Sequence, residues 1–233
     1  MRTLLIVLCL VSSIPRIFCQ EQPVIKQNSI TANHLQSLLS LLNSHAYSFD
    51  LTSFNQKDVS ITFYIEEFYE GNIVDKNSFP IGHNKVDLNK LSPAYAESLR
   101  KRLHLSPDST TYTRLSEINI YLTPKNDSVD FVSFEAPEMA QVTKLLKKRP
   151  NKEGTQQGET ASYRVSSFEL DLGDFSKKEY PLLLYSAFWW DQKYNFYRNC
   201  QDKLTPDMSG EFLKNTSHYY ILGVQVEEVN MKL

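Results

Sequence analysis

The sequence predicts a mainly β protein, an antiparallel β-sandwich with two or three flanking helices. Three observations lead to this fold class. About eight or nine segments alternate apolar and polar residues with the period of two of a half-buried strand. Most are joined by short polar turns, as antiparallel neighbours are. Helical patterns are too sparse to alternate with strands as a parallel α/β fold requires. The alternative is an α+β fold, a single antiparallel sheet with helices on one face.

The N-terminus, residues 1–19, has the features of a signal peptide. Arg2 supplies positive charge, and an apolar run follows over Leu4–Val11. This run is far shorter than the ~20 residues of a membrane-spanning helix. We expect cleavage after Cys19 and export to a periplasm or cell surface. A lipid anchor on Cys19 is the less favoured alternative, because residues 16–18 lack the small side chains that such a site prefers.

The remaining chain is expected to hold a flexible tether over residues 20–30 and a single β-rich domain over residues 31–233. A disordered loop is expected near residues 147–160, which contain no aliphatic or aromatic residue. Cleavage would leave Cys200 as the only cysteine, so we expect no intrachain disulfide.

The first half of the domain begins with an amphipathic helix over Thr31–Asn43, whose leucines recur at helical spacing. Alternation over Tyr47–Thr52 indicates a strand, and Val59–Glu66 is the clearest strand of the chain. The alternation slips at Glu66 and Glu67, which predicts a β-bulge there.

A turn at Gly71 and Asn72 leads to a short predicted strand at Ile73–Val74, followed by a polar loop over residues 75–92. Ser92 and Pro93 open a second helix, since proline is well suited to the first helical position. Next, Ile118–Leu122 and Val129–Phe131 alternate on either side of a polar turn, which predicts a hairpin.

The second half contains a weaker helical pattern over Glu135–Lys148, which an irregular crossover could also explain. Alternation resumes over Phe168–Gly173. The long apolar run Tyr180–Trp190 suits a strand that is buried on both faces. A turn then leads to an alternating return over Tyr194–Cys200, and the last strand is expected over Tyr219–Val226.

Several stretches resemble an uncharacterised family of secreted proteins from Bacteroides-like bacteria. They are Tyr47–Asp50, Ile61–Gly71, Ile118–Ile120, Asn126–Ser128 and Ser186–Asp191. A signal peptide followed directly by glutamine is also similar to that group. The resemblance covers the whole mature chain and implies a location and a single domain. It implies no activity, because the family has no assigned function.

Composition and motifs argue against several function classes. The net charge of −2 and the pI of about 6.2 disfavour a nucleic-acid partner. Neither G-x-G-x-x-G nor G-x-x-x-x-G-K-[ST] occurs, so the usual phosphate-binding loops are missing. The five histidines are scattered without metal-ligand spacing, and no G-x-S-x-G is present. We expect no metal, no cofactor and no transmembrane segment.

The one conspicuous feature is a cluster of six aromatic residues within Phe188–Tyr197. By the period of two, Trp190 faces outward if Trp189 faces the core. Trp190 and Tyr194 are then candidates for stacking on a sugar ring, with Asp191 and Asn195 as partners for its hydroxyls. The competing interpretation places both tryptophans in the core, where aromatic pairs stabilise sheets.

The sequence therefore favours an exported, non-enzymatic binding or envelope-accessory domain. A glycan is its first candidate ligand and an envelope protein the other candidate partner. One alternative is a glycosidase-like hydrolase that uses carboxylates on strands, such as Glu66 and Glu169. Another is a homo-oligomer whose interface uses the aromatic residues.

Overall fold

A computed structural model describes residues 32–137, 139–169, 178–198, 204–205 and 211–229. Within these ranges the α-helices are α1 (Ala32–Leu41), α2 (Pro93–Arg102) and α3 (Glu211–Asn215). The strands are β1 (His45–Asp50), β2 (Val59–Tyr69), β3 (Asn72–His83), β4 (Lys85–Asp87), β5 (Thr111–Thr113), β6 (Glu117–Asn126), β7 (Val129–Ala136), β8 (Ala140–Lys147), β9 (Tyr163–Ser167), β10 (Glu179–Ala187), β11 (Trp189–Asp191), β12 (Phe196–Arg198) and β13 (His218–Glu228). Short 3-10 helices span Thr52–Gln56 and Leu88–Lys90.

Two antiparallel sheets form a sandwich, which confirms the predicted fold class. One sheet has the strand order β1-β6-β7-β8, and the other has the order β3-β2-β13-β10-β9. Their facing rows of side chains share one hydrophobic core. The stacked rings of Phe63 on β2 and Phe134 on β7, with centroids 4.8 Å apart, show the two sheets in contact. Two ribbons of two strands each, β4-β5 and β11-β12, complete the strand pairing.

Strand β2 shows how alternation produces this arrangement. Ile61, Phe63 and Ile65 are buried in the core between the sheets. The register of β2 against β3 shifts between Glu67 and Phe68, which confirms the predicted bulge. Beyond it, Glu70 and Gly71 both have positive φ angles, the combination that closes a tight two-residue hairpin.

The outer face of the five-stranded sheet is covered as well. Leu184 on β10 and Ile221 on β13 pack there with Leu213 of α3. This second apolar layer explains why β10 is buried along nearly its whole length, as its apolar run predicts. The helix α3 itself carries too short a pattern to be found in the sequence.

Two predicted elements are wrong. Residues Glu135–Lys148 do not form a helix: they complete β7 and form β8, whose exposure alternates along the strand. The hairpin between them closes where Ala136 pairs with Ala140. Residues 75–92 are not all loop either, since β3 continues to His83, with its backbone paired to β2 along the edge of the sheet.

The chain divides into two units, residues 1–35 and residues 36–233, and the strands of the described ranges belong to the second. The predicted signal peptide, the tether and Cys200 lie outside the described residues. None of the helices in the described ranges has the length and apolar character required to cross a membrane.

Candidate functional site

The aromatic cluster forms the β11-β12 ribbon, and a polar turn closes it. Asp191 Oδ1 accepts the backbone N–H groups of Lys193 (3.0 Å) and Tyr194 (3.2 Å). Asn195 has a φ of 57° and donates its backbone N–H to the Asp191 carbonyl oxygen at 2.8 Å. These are the ordinary contacts of an aspartate that starts a turn and an asparagine in left-handed backbone.

The ribbon therefore separates the residues that the sequence grouped as one binding surface. Asp191 is buried, and its second carboxylate oxygen lies 2.7 Å from Nε of Arg198. This side chain therefore stabilises the turn and pairs with Arg198. Tyr194 is 53% exposed and packs with the Arg198 guanidinium, whose carbon is 4.7 Å from the ring centroid. Cross-strand pairing places Trp190 opposite Tyr197, on the other face of the ribbon. Trp190 and Tyr194 thus do not form one platform.

The face that carries Trp190 packs against the loop that follows β8. The rings of Trp190 and Tyr197 meet edge to face, with centroids 4.8 Å apart. The Tyr197 hydroxyl donates to the carbonyl of Glu153 (2.6 Å) and accepts the N–H of Gln156 (3.3 Å). Gly154, with a φ of +87°, lies so close that a Cβ there would be 2.4 Å from the Trp190 ring. Only glycine allows this approach of backbone to indole.

These contacts leave a cleft of about 390 Å³ beside the ribbon, called here the aromatic cleft. One wall is aromatic, and the others are polar segments brought from distant parts of the chain. The lining residues are Glu70 and Gly71 of the β2-β3 turn, Asn151–Glu153 of the loop, Phe188–Trp190 and Tyr197 of the ribbon, and Leu213–Ser217 around the end of α3.

The charges of the aromatic cleft balance. Lys152 forms an ion pair with Glu70, and its ammonium lies 4.7 Å from the centroid of the Tyr69 ring. Glu153 accepts a hydrogen bond from the Gln192 amide at 3.2 Å. Lys214 is the other cationic lining residue. Two carboxylates and two ammonium groups give the cleft no net charge, so its recognition chemistry rests on aromatic faces and hydrogen bonds.

The sequence matches a known protein family over most of its length. Residues 18–228 match the family described as Domain of unknown function (DUF5041). The chain belongs to this family. No curated protein and no solved structure matches it. An uncharacterised domain family is thereby confirmed, while the bacterial group and the secretion remain predictions.

Behind the aromatic cleft, a buried polar cluster anchors the loop of this DUF5041 domain. His218 at the start of β13 is fully buried, and its Nε2 lies 3.0 Å from Glu67 Oε1. The same oxygen accepts from Arg149 of the loop at 2.8 Å. The other imidazole nitrogen contacts the hydroxyl of Tyr163, which also accepts the Arg149 backbone N–H at 3.0 Å. Loop and sheet are therefore joined by hydrogen bonds among Arg149, Glu67, His218 and Tyr163.

The protonation states of this cluster follow from its burial. Desolvation lowers the pKa of His218, and this outweighs the opposing attraction of Glu67. Burial alone would raise the pKa of Glu67, but hydrogen bonds from Arg149 and His218 lower it. A neutral imidazole then donates from Nε2 to Glu67 and accepts the Tyr163 proton at Nδ1. The cluster is a structural support for the cleft wall.

The carboxylates predicted for a hydrolase do not come together in this DUF5041 domain. Glu66 is buried and lies 2.6 Å from the ammonium of Lys76. Glu169 follows β9, and its backbone N–H bonds to Leu204. Strands β13 and β10 lie between β2 and β9, so three strand spacings of about 4.8 Å separate them by roughly 14 Å. A glycosidase pair needs about 5–9.5 Å.

Among the residues that the structure describes, no group of three or more His, Cys, Asp or Glu side chains is placed to hold a metal ion.

Proposed function

We propose that this DUF5041 domain is a non-enzymatic binding module that holds a saccharide in the aromatic cleft. The observation that carries the proposal is the composition of the cleft wall. Trp189, Trp190 and Tyr197 line the same space of about 390 Å³ as amide, hydroxyl and paired charged groups from three other segments. Pockets of this size with aromatic walls and a few convergent polar groups are typical ligand sites.

The chemistry of a sugar fits these surroundings. One face of a pyranose ring presents C–H groups that pack on aromatic rings, and its rim presents hydroxyl groups that donate and accept hydrogen bonds. The edge-to-face arrangement of Trp190 and Tyr197 offers two ring orientations to such a ligand. Because the lining charges balance, a neutral saccharide is favoured over a strongly anionic one.

The test measures the binding of a panel of neutral oligosaccharides by intrinsic fluorescence and by calorimetry. The chain has only two tryptophans, and the ring of Trp189 lies near Arg198, on the face of the ribbon that carries Tyr194. The fluorescence is therefore measured in Trp189→Phe, in which Trp190 at the cleft is the remaining tryptophan. We expect a bound oligosaccharide to shift the emission and to protect it from acrylamide. Trp190→Ala should weaken binding at least about fivefold, if stacking of a sugar on an aromatic ring is worth the 1–3 kcal/mol or so that stacking of a base is worth.

Tyr194→Ala is the matched control, because Tyr194 is an exposed aromatic on the other face of the same ribbon. It should leave the affinity unchanged. Equal loss of binding in both variants, or no saccharide that alters the tryptophan signal, would refute saccharide binding in the aromatic cleft.

A second candidate function, a glycoside hydrolase, has one observation in its favour. Glu70 and Glu153 both line the aromatic cleft, although Glu70 is paired with Lys152 and Glu153 with Gln192. A hydrolase would release reducing ends from an oligosaccharide, and Glu153→Gln would abolish the release while leaving binding intact. Binding without turnover by the unaltered domain supports the non-enzymatic module.

We propose further that the domain is exported to a periplasm or cell surface, on the support of the charged and apolar pattern in residues 1–19. Expression of the full chain should give a mature protein that begins at Gln20. Incorporation of labelled fatty acid that is lost in Cys19→Ala would instead establish the lipid anchor.

A further inference from the structure

A second cavity, of about 350 Å³, lies at the end of the sandwich between the two sheets and shares no residue with the aromatic cleft. Strands β1, β6 and β7 of one sheet and β9 and β10 of the other supply most of its walls. Its lining includes Leu122 and Val165 as apolar residues, and Asn43, His45, Lys125 and Asn126 as polar ones. Asp127 also lines the cavity, together with three polar residues that lie where the hydrophobic core ends.

These three are Asp130, Lys148 and Tyr185, called here the end triad. Asp130 is buried and stands in the inward row of β7 that continues through Val132 and Phe134. The Tyr185 hydroxyl donates to Asp130 Oδ2. The Lys148 ammonium lies 2.9 Å from Oδ1, and the lysine side chain is only 16% exposed.

The fold does not require charge at this position. An ion pair withdrawn from water is often neutral or unfavourable for stability relative to apolar residues of similar volume. An apolar residue at 130 would simply extend the core row of β7. Burial of these polar groups costs free energy, and they line a cavity. Both features are typical of a binding site.

The ion pair of the end triad leaves donor capacity on the lysine. Asp130 Oδ1 is enclosed by the protein and lies 2.9 Å from the Lys148 ammonium, so a ligand in the cavity does not reach that oxygen. An ammonium group has three N–H donors, so Lys148 can donate to a ligand that enters the cavity as well as to Asp130.

The charges around the cavity select the kind of donor. A cation would meet Lys148 and Lys125, and an anion would meet Asp130 and Asp127. A neutral hydroxyl group avoids both repulsions, and its oxygen accepts a hydrogen bond from the Lys148 ammonium. Several such groups on one small molecule would also satisfy the amides at the rim.

We propose that the cavity of the end triad binds a small neutral polyol of monosaccharide size, with a hydroxyl oxygen that accepts from Lys148. This site is separate from the aromatic cleft, and its existence does not rest on the function proposed for that cleft.

The experiment is saturation-transfer NMR and calorimetry of the whole protein with free glucose, galactose, mannose and myo-inositol. We expect at least one of them to bind with a Kd of about 1 mM or tighter. Lys148→Met should weaken this binding at least about tenfold, because a hydrogen bond to a charged group is lost. Lys101→Met on α2, a lysine that pairs with Glu97 at the surface, is the matched control and should bind normally.

A second variant guards against misfolding, because Lys148→Met leaves the Asp130 carboxylate buried without its partner. The double variant Asp130→Asn with Lys148→Met contains no buried charge at the site, so it should fold and still fail to bind. Trp190→Ala should retain polyol binding, which distinguishes this site from the aromatic cleft.

Three results would overturn the proposal. One is the absence of binding by all four polyols. Another is retained binding in the double variant with loss in Trp190→Ala, which would assign the polyol to the aromatic cleft. The third is tighter binding of glycine or acetate than of any polyol, since that would make the cavity a site for ions.

Discussion

Replacement of Gly154 by alanine tests the contact that forms the aromatic cleft. Gly154 has a φ of +87°, and a Cβ there would lie 2.4 Å from one Trp190 ring atom and 2.8 Å from the Tyr197 hydroxyl oxygen. Gly158 in the same loop also has a φ of +87°, but nothing lies within 4 Å of its Cβ position. The two substitutions therefore share the backbone strain and differ in the steric overlap.

The magnitudes follow from these two terms. Left-handed backbone costs an alanine roughly 1–2 kcal/mol, so Gly158→Ala should lose about that much stability. Gly154→Ala adds an overpacking term of about 1–3 kcal/mol, since backbone, indole and phenol cannot all stay in place. At roughly 2–4 °C per kcal/mol for a chain of this size, a difference of about 2 kcal/mol lowers the Tm by a further 4–8 °C or so.

Thermal unfolding and tryptophan emission measure the two consequences. Gly154→Ala should melt earlier than Gly158→Ala and should show tryptophan emission that acrylamide quenches more strongly, because Trp190 loses its cover. Equal melting temperatures together with equal quenching in the two variants would refute the packing of Trp190 on Gly154.

Three further predictions concern the sheets, the buried histidine and the exposed aromatic residues. Gly223→Ala should destabilise the fold by roughly 2–4 kcal/mol in urea unfolding, because its Cβ would lie 2.4 Å from the Tyr180 carbonyl oxygen; an unchanged urea midpoint would contradict that close approach. Burial lowers the pKa of His218 below the value near 6.5 expected in the unfolded chain, so stability should be full above about pH 6.5 and should fall as the pH drops below it. Urea midpoints across that range would measure the loss, and His218→Asn should flatten this part of the profile; a profile identical to that of the unaltered protein would contradict it. If the exposed Tyr194 and Phe196 form a homo-oligomer interface, light scattering should show a dimer or larger species that the double serine variant dissociates, whereas a monomer at all concentrations rules that interface out.

Much of the fold follows from local patterns in the sequence. The inward row of β2 and its bulge at Glu67 were predictable, because a strand that is buried on one face must alternate and a bulge must break the alternation. The helix predicted for the β8 segment was wrong. Val142, Leu145 and Leu146 recur at helical spacing, but their backbone pairs with β7. A short apolar pattern of this kind does not determine which partner its backbone finds.

The aromatic cleft was predictable only in part. Six clustered aromatic residues indicated the ribbon, but Asp191 and Asn195 are polar residues that the turn itself needs, so their presence carried no information about a ligand. Glu70, Lys152 and Lys214 reach the cleft from segments far apart in the chain, and no local pattern reports that convergence. Asp130 left no clear signal either, because Val129 and Phe131 beside it are apolar and the alternation placed Asp130 on the solvent side, whereas the structure buries it.

The position of β13 in the five-stranded sheet bears on how the chain acquires its structure. This strand is the last in sequence among those described, yet it lies between β2 and β10 and pairs with both. Pairing of such distant segments is slow, because a long loop must close before its contacts form. Until β13 emerges from the ribosome, β2 and β10 have no common neighbour and the sheet stays in two parts. A chain with this topology therefore cannot complete its five-stranded sheet until β13 has been synthesised.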